Sequence, residues 1–143
     1  MRARNVNLTD YQTLTNLDWS PLTRPPTSLF AYFVGDQSHV CFVAEDENQT
    51  IGALVGYRSS CGRRVHIAAM KSLRQGEGIG RLLIEALKAT CHHMGVERVW
   101  CFTTDKVQGF YEKMGFTVGE LGIFKEAMVD GLMVMEWTDG HTE

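Results

Sequence analysis

Leu73-Arg74-Gln75-Gly76-Glu77-Gly78-Ile79-Gly80-Arg81 stands between a β-prone run and the most regular amphipathic stretch of the chain. Downstream of it, Ile79, Leu82, Leu83, Ala86, Leu87, Cys91 and Met94 recur at helical spacing, while Arg81, Glu85 and Lys88 take the opposite face. His92 and His93 fall in the last turn, where they suit the negative end of the helix dipole, and Gly95 fits a left-handed terminator. No Ser, Thr, Asp or Asn directly precedes the helix, so its first N–H groups have no side-chain cap in view. Such N–H groups, the positive dipole end and glycines without a Cβ together make an anion site, and Arg74 and Arg81 add charge beside it.

Working outward, residues 64–71 read as a strand, reached through the turn Ser59-Ser60-Cys61-Gly62. Residues 39–45 and 50–57 read as a hairpin around Asp46-Glu47-Asn48-Gln49. Toward the N-terminus, residues 2–8 predict a first strand, Thr9-Asp10 a helix cap, and Tyr11, Leu14 and Leu17 a short helix. A proline-bearing break over 19–26 separates it from a second helix over 28–34. Beyond the long helix, residues 96–103 predict a strand. Val107, Phe110, Tyr111 and Met114 then form a helical stripe ended by Gly115, and residues 116–118 and 132–137 complete the sheet. The predicted order β, α, α, β, β, β, α, β, α, β, β describes a mixed α/β (α+β) fold. It forms one domain over residues 1–143, with a central, mostly antiparallel sheet flanked by helices.

The chain has 143 residues, 44% of them apolar, which is enough to bury a core. A charged fraction of 22% and a net charge of −3 exclude the dominant basic face that nucleic acid requires. The longest apolar runs, 40–44 and 67–70, are too short to span a bilayer, so no membrane partner is expected. Met1-Arg2-Ala3-Arg4-Asn5 lacks the apolar core of a secretory signal, and a cytoplasmic location is expected. Cys41, Cys61, Cys91 and Cys101 are scattered without a C-x-x-C pair, which predicts reduced thiols rather than a metal site or a disulfide scaffold.

Three phosphate-binding chemistries compete for the glycine turn. A nucleotide P-loop requires Lys followed by Ser or Thr after its last glycine, and that pair is absent. A dinucleotide site requires G-x-G-x-x-G after the first strand of a parallel βαβ unit, whereas here the spacing is G-x-G-x-G after an antiparallel meander. The third is a coenzyme A pyrophosphate site. A turn that merely joins strand to helix rarely carries three glycines at alternate positions.

Gln75-Gly76-Glu77-Gly78-Ile79-Gly80 resembles the signature of the GNAT superfamily of N-acetyltransferases: Gln or Arg, two residues, Gly, one residue, then Gly or Ala. Phe110-Tyr111-Glu112-Lys113-Met114-Gly115-Phe116 resembles the family's second marker, Y-E-K-x-G-F, in register with the first. The resemblance covers residues 38–137 well and the N-terminal third loosely. It implies a GNAT-like domain using acetyl-CoA. The pyrophosphate would lie on Gln75, Gly76, Glu77, Gly78, Ile79, Gly80 and Arg81, and the pantetheine arm along the backbone of Ala68, Ala69 and Met70. Met70 N–H would face the thioester oxygen. Thr104 stands where many members carry a coenzyme-contacting asparagine, and its hydroxyl offers either part of that contact or a cap for the following helix.

The chemistry so implied is direct attack of an amine on a thioester, with a proton supplied to the leaving thiolate. Tyr111 matches the family's general acid. His66, four residues before Met70 and by alternation on its face, matches a histidine that takes the amine proton in the arylalkylamine acetyltransferase branch. The resemblance also implies an acceptor pocket between the N-terminal helices, the meander and the loop before the last strand, where Trp19, Phe30, Tyr32, Phe33 and Phe124, with the acids Asp18, Glu120 and Glu126, would suit a small, partly apolar amine. Small-molecule and peptide amines are both open as substrates, and a homodimer fits small members of the family. The other reading is a catalytically silent acyl-CoA-binding sensor or assembly module, which would keep the glycine turn but need neither Tyr111 nor His66.

Overall fold

The structure is a computed structural model that describes residues 1–20, 22–35, 38–119 and 133–139. Its elements, in chain order, are β1 (Arg2–Asn5), a 3-10 turn (Leu8–Asp10), α1 (Tyr11–Thr15), α2 (Thr27–Phe33), β2 (His39–Asp46), β3 (Gln49–Arg58) and β4 (Arg64–Ser72). There follow α3 (Ile79–Met94), β5 (Arg98–Thr103), α4 (Asp105–Lys113), β6 (Thr117–Val118) and β7 (Met133–Thr138). The seven strands form one sheet in the order β1-β2-β3-β4-β5-β7-β6. Among the described strands only β4 and β5 pair in parallel, so the predicted mixed, mostly antiparallel sheet is present. The predicted order of elements holds, and Leu132, expected to open the last strand, lies outside the described residues.

Local chemistry explains most boundaries. Glu47 and Asn48 both adopt positive φ, 50° and 66°, the two-residue turn whose twist matches a β2–β3 hairpin. At the first helical turn the cap is Asn7 rather than Thr9-Asp10: its side chain accepts from Thr9 N–H while Asp10 reciprocates to the Asn7 N–H. The buried Asp10 carboxylate is gripped by Arg4 from β1 at 2.8 and 2.9 Å, which holds its pKa below the usual range. Gly95 ends α3 in the left-handed conformation, as predicted, and His92 in the last turn bonds Asp139 at 3.0 Å.

The sheet buries a different cluster on each face. Under α3 and α4, Ile79, Leu83, Ile84 and Leu87 of α3 meet Phe42, Leu54, Val65, Ile67 and Val99 of the strands. Each such side chain contributes about 1.5–3 kcal/mol on burial. The opposite face packs Val6, Leu14, Trp19 and Leu29 against Cys41, Val43, Ala53 and Val55. At Gly52 the start of α3 lies so close to β3 that a Cβ would come within 2.6 Å of Ile79 Cγ2 and 2.8 Å of the Lys71 carbonyl oxygen. That approach sets where the glycine turn hangs over the sheet.

Two features of β4 shape everything at its C-terminal end. Its pairing with β5 runs only from Arg64↔Arg98 to His66↔Trp100, after which the two strands part. Its pairing with β3 carries a bulge: Val55 opposes Ala69 and Gly56 opposes Ile67, leaving Ala68 as the extra residue. Because the Gly52 contact includes a backbone atom that a rotamer change cannot move, Gly52→Ala is expected to cost about 1–3 kcal/mol. A thermal melt should show a Tm lower by several degrees with the far-UV spectrum retained.

Candidate functional site

A cavity of about 600 Å³ opens where the glycine turn, β4 and α4 converge. Met70 and Ser72 of β4 line one side; Arg74, Gln75, Gly76, Gly78, Ile79, Gly80 and Arg81 line the turn and the start of α3. Val107, Phe110, Tyr111, Lys113 and Met114 close it from α4. Gly78 is the residue before α3, at φ 76° and ψ 19°, and no side chain caps the helix. Gly76 shares the left-handed conformation, and a Cβ on either residue would meet no atom within 4 Å. The space beside both glycines is open, so the turn exposes backbone N–H groups at the positive end of a 16-residue helix. Gly80 differs: a Cβ there would press on Phe110 Cζ at 3.1 Å, so this glycine lets α3 pack on α4.

Charge around the turn is unevenly available. Arg74 Nη1 is held by Asp46 at 3.0 Å and lies 3.7 Å from Glu77, while Arg81 forms no ion pair among the described residues. Glu77 points its charge at Arg74 and does not line the cavity. An elongated ligand with a phosphate end fits this arrangement, with the anion on the helix N-terminus and the remainder running toward Met70 and Tyr111.

Tyr111 is only 8% exposed, its ring edge-on to Phe110 at 5.1 Å and to Phe116 at 5.2 Å. Burial, and secondarily the Cys101 thiol against its hydroxyl, push the phenol well above its ordinary value. At neutral pH the group therefore keeps its proton. Cys101 is itself pushed up to about 12 by burial, so its thiol keeps its proton at neutral pH. The described cysteines are unpaired by disulfides, and no metal-binding cluster is found among the described residues. No described helix is long and apolar enough to cross a membrane.

With this geometry in hand, comparison with known proteins is direct. The family model described as "Acetyltransferase (GNAT) domain" matches residues 37–118, more than half of the chain. The chain belongs to the GNAT acetyltransferase family. Its fold is that of a nourseothricin acetyltransferase (20% identity, 96% of this chain and 97% of that one, TM-score 0.68) and of a GNAT-family acetyltransferase from Staphylococcus aureus Mu50 (14%, 96% and 98%, TM-score 0.76). A GNAT-family acetyltransferase from Elizabethkingia anophelis, crystallised with acetyl-CoA bound, is similar over 96% of this chain and 97% of that one (17% identity, TM-score 0.67).

Among the residues that sequence marks in this GNAT chain, the cavity gathers Met70, Gln75, Gly76, Gly78, Ile79, Gly80, Arg81 and Tyr111, but not His66, Ala68, Ala69, Glu77 or Thr104. Thr104 is the N-cap of α4 by position, yet its hydroxyl makes no capping bond. Ala69 packs into the cluster on the far face. Ser72, Lys113 and the stripe residues Val107, Phe110 and Met114 also line the cavity. Their helical spacing reads equally well as core, so the sequence offers no signal for them.

His66 requires a correction. Simple alternation puts it on the face of Met70, but the bulge at Ala68 inverts the order: Val65, Ile67 and then Met70 join the cluster under α3. His66 projects from the opposite face, its ring 4.0 Å from Trp100 and 5.2 Å from Tyr57. Burial lowers its pKa to about 4, and Nδ1 has no hydrogen-bond partner. The N-terminal aromatics are likewise committed elsewhere. Trp19 is buried with its N–H donating to the Leu14 carbonyl at 2.9 Å, the Tyr32 hydroxyl donates to the Val6 carbonyl at 2.6 Å, and Phe33 lies edge-on to Tyr11 at 5.0 Å. Phe30 is exposed, and the Asp18 carboxylate accepts from the Ser20 N–H at 2.9 Å. Phe124, Glu120 and Glu126 lie outside the described residues.

Between the ordinary histidine value of 6.5 and the folded value of about 4, the unfolded chain binds a proton at His66 that the folded chain refuses. Stability is therefore expected to fall as pH drops through this window, with no His66 contribution above it. Urea denaturation across that range should show His66→Phe losing less stability in acid than wild type.

Proposed function

We propose that this chain is an N-acetyltransferase that moves an acetyl group from acetyl-CoA to a primary amine by direct attack within a ternary complex. The observation that carries the reading is a single cavity joining the uncapped α3 N-terminus to a proton-holding Tyr111. The coenzyme pyrophosphate fits the N–H groups of the Gly76–Arg81 turn, with Gln75 and Arg81 beside it. The edge of β4 beyond His66, unpaired with β5, offers backbone groups of Ala68, Ala69 and Met70 for the amide bonds of the pantetheine arm. Glu77, tied to Arg74, steadies the turn rather than touching the ligand.

Acetyl-CoA supplies the acyl group already activated as a thioester, and the chain supplies position and protons. Overall, a C–N bond forms and a C–S bond breaks; the amine loses a proton and the departing sulfur gains one. Tyr111 Oη holds the proton for sulfur, because burial keeps the phenol protonated at neutral pH. Met70 N–H is the candidate donor to the developing oxyanion. His66, neutral well below pH 7, offers an imidazole lone pair to the proton leaving the amine. An alkylammonium has a pKa of about 10.4 and His66 about 4, so the ring does not deprotonate the free ammonium; the neutral amine attacks, and His66 relays to solvent the proton that C–N bond formation makes acidic.

The test is an amine panel with acetyl-CoA, following release of free thiol. Turnover is expected with at least one primary amine. Tyr111→Phe should lower kcat by about 10²-fold or more while acetyl-CoA affinity is kept. Gly78→Glu, which forces a carboxylate and a strained φ into the anion site, should abolish acetyl-CoA binding instead. Tight coenzyme binding with no turnover on any amine would identify a silent acyl-CoA-binding module, and undiminished turnover in Tyr111→Phe would remove it as the acid.

A further inference from the structure

Where β4 begins, at the end remote from the glycine turn, lies a second cavity of about 360 Å³. Ser59, Cys61, Arg63, Arg64, Glu97 and Arg98 line it, and it shares no lining residue with the cavity at the glycine turn. Its volume falls within the range of about 300–1,000 Å³ that small-molecule sites occupy. The backbone of its wall is fastened on both sides. Gly62 turns the chain at φ 74°, its N–H donates to the Ser59 carbonyl at 2.9 Å, and its carbonyl accepts from Arg58 Nε at 2.8 Å. The Arg63 carbonyl accepts from the N–H groups of Glu97 and Arg98 at 2.8 and 3.2 Å, which ties the turn to the start of β5.

The lining is strongly basic for a chain whose net charge is −3, since three arginines share it with one glutamate. Among the described residues Arg63 and Arg64 form no ion pair, and Arg98 reaches Glu136 only at 4.0 Å. Into this basic lining the chain sets its one exposed thiol, Cys61, with Sγ 3.2 Å from Ser59 Oγ. The Ser59 hydroxyl, then the Arg63 backbone N–H, hold the Cys61 pKa below the ordinary thiol value, and the charges of Arg64 and Arg63 act in the same sense. Cys41, Cys91 and Cys101 are buried and pushed up to about 12, so Cys61 is the sulfur poised for attack from solvent.

We propose that this cavity is a modification site, where Cys61 forms a mixed disulfide with an anionic low-molecular-weight thiol held by Arg63, Arg64 and Arg98. The Cys61 thiolate attacks one sulfur of a small carboxylate-bearing disulfide; a new S–S bond forms and the S–S bond of the reagent breaks. The departing half leaves as a thiolate and takes up from solvent the proton that Cys61 gave to it. The incoming disulfide is itself the oxidant, and no other is required. Selection comes from the guanidinium groups, whose planar donor forks match carboxylates and whose potential concentrates anions beside the sulfur. A cationic disulfide meets repulsion at the same place.

The experiment exposes the full chain to glutathione disulfide or to cystamine, anionic and cationic at neutral pH, and follows adduct formation by intact and peptide mass spectrometry. Each rate constant is divided by that of N-acetylcysteinamide with the same reagent, which removes the reagents' own reactivity. So normalised, Cys61 is expected to favour glutathione disulfide by about tenfold or more at low salt. The double variant Arg63→Gln/Arg64→Gln changes two exposed side chains and should erase most of that preference. Loss of the arginines alters the thiolate fraction equally for both reagents, so the ratio reads the pocket and not the pKa. Added salt should shrink the wild-type ratio, and Cys61→Ser should form no adduct. A wild-type ratio near one, a ratio unchanged in the double variant, adducts on a different cysteine, or no adduct at all would each overturn the proposal.

Discussion

Backbone N–H and C=O groups held away from water need partners, and β4 extends through residues 67–72 beyond its last pairing with β5. On that side its main chain is offered to something other than a strand. The splay is possible because β4 is well anchored elsewhere: β3 pairs with it along nearly its whole length, and Val65 and Ile67 are locked into the cluster under α3. The glycine turn and Tyr111 lie on one face of the sheet, and the rings of Tyr57, His66, Trp100 and Phe102 lie on the other.

Burial acts in opposite senses on Tyr111 and His66, which lie on opposite faces of the sheet. It raises the phenol of Tyr111, which then keeps its proton, and it lowers the imidazole of His66, which then stays neutral. In both cases loss of solvent disfavours the charged form, so both groups are uncharged at neutral pH. Fixed positive potential comes instead from the α3 N-terminus, where Gly76 and Gly78 keep the backbone bare.

The glycine turn, the long helix and the Y-E-K-x-G-F helix were legible because their signals are local. Positive φ at Gly76 and Gly78, the apolar stripe of α3 and its missing cap each depend on residues within a few positions of one another. Reading across strands failed where it relied on unbroken alternation. A single extra residue at Ala68 reverses which face later side chains take, and nothing in the neighbouring sequence announces the bulge. The bonds of the N-terminal aromatics were illegible for a related reason: those to Leu14 and Val6 are made by folding back, not by spacing.

By itself, then, the sequence determined the element order, the anion-binding turn and the family markers, since propensities, caps and motif spacing are properties of short segments. Only the tertiary structure decided that Tyr111 shares a cavity with the turn, that His66 faces away from Met70, and that the rings of Tyr57, His66, Trp100 and Phe102 meet on one face. Those residues come from separate strands, and their meeting is fixed by register, bulge and splay, which arise from packing between segments distant in the chain.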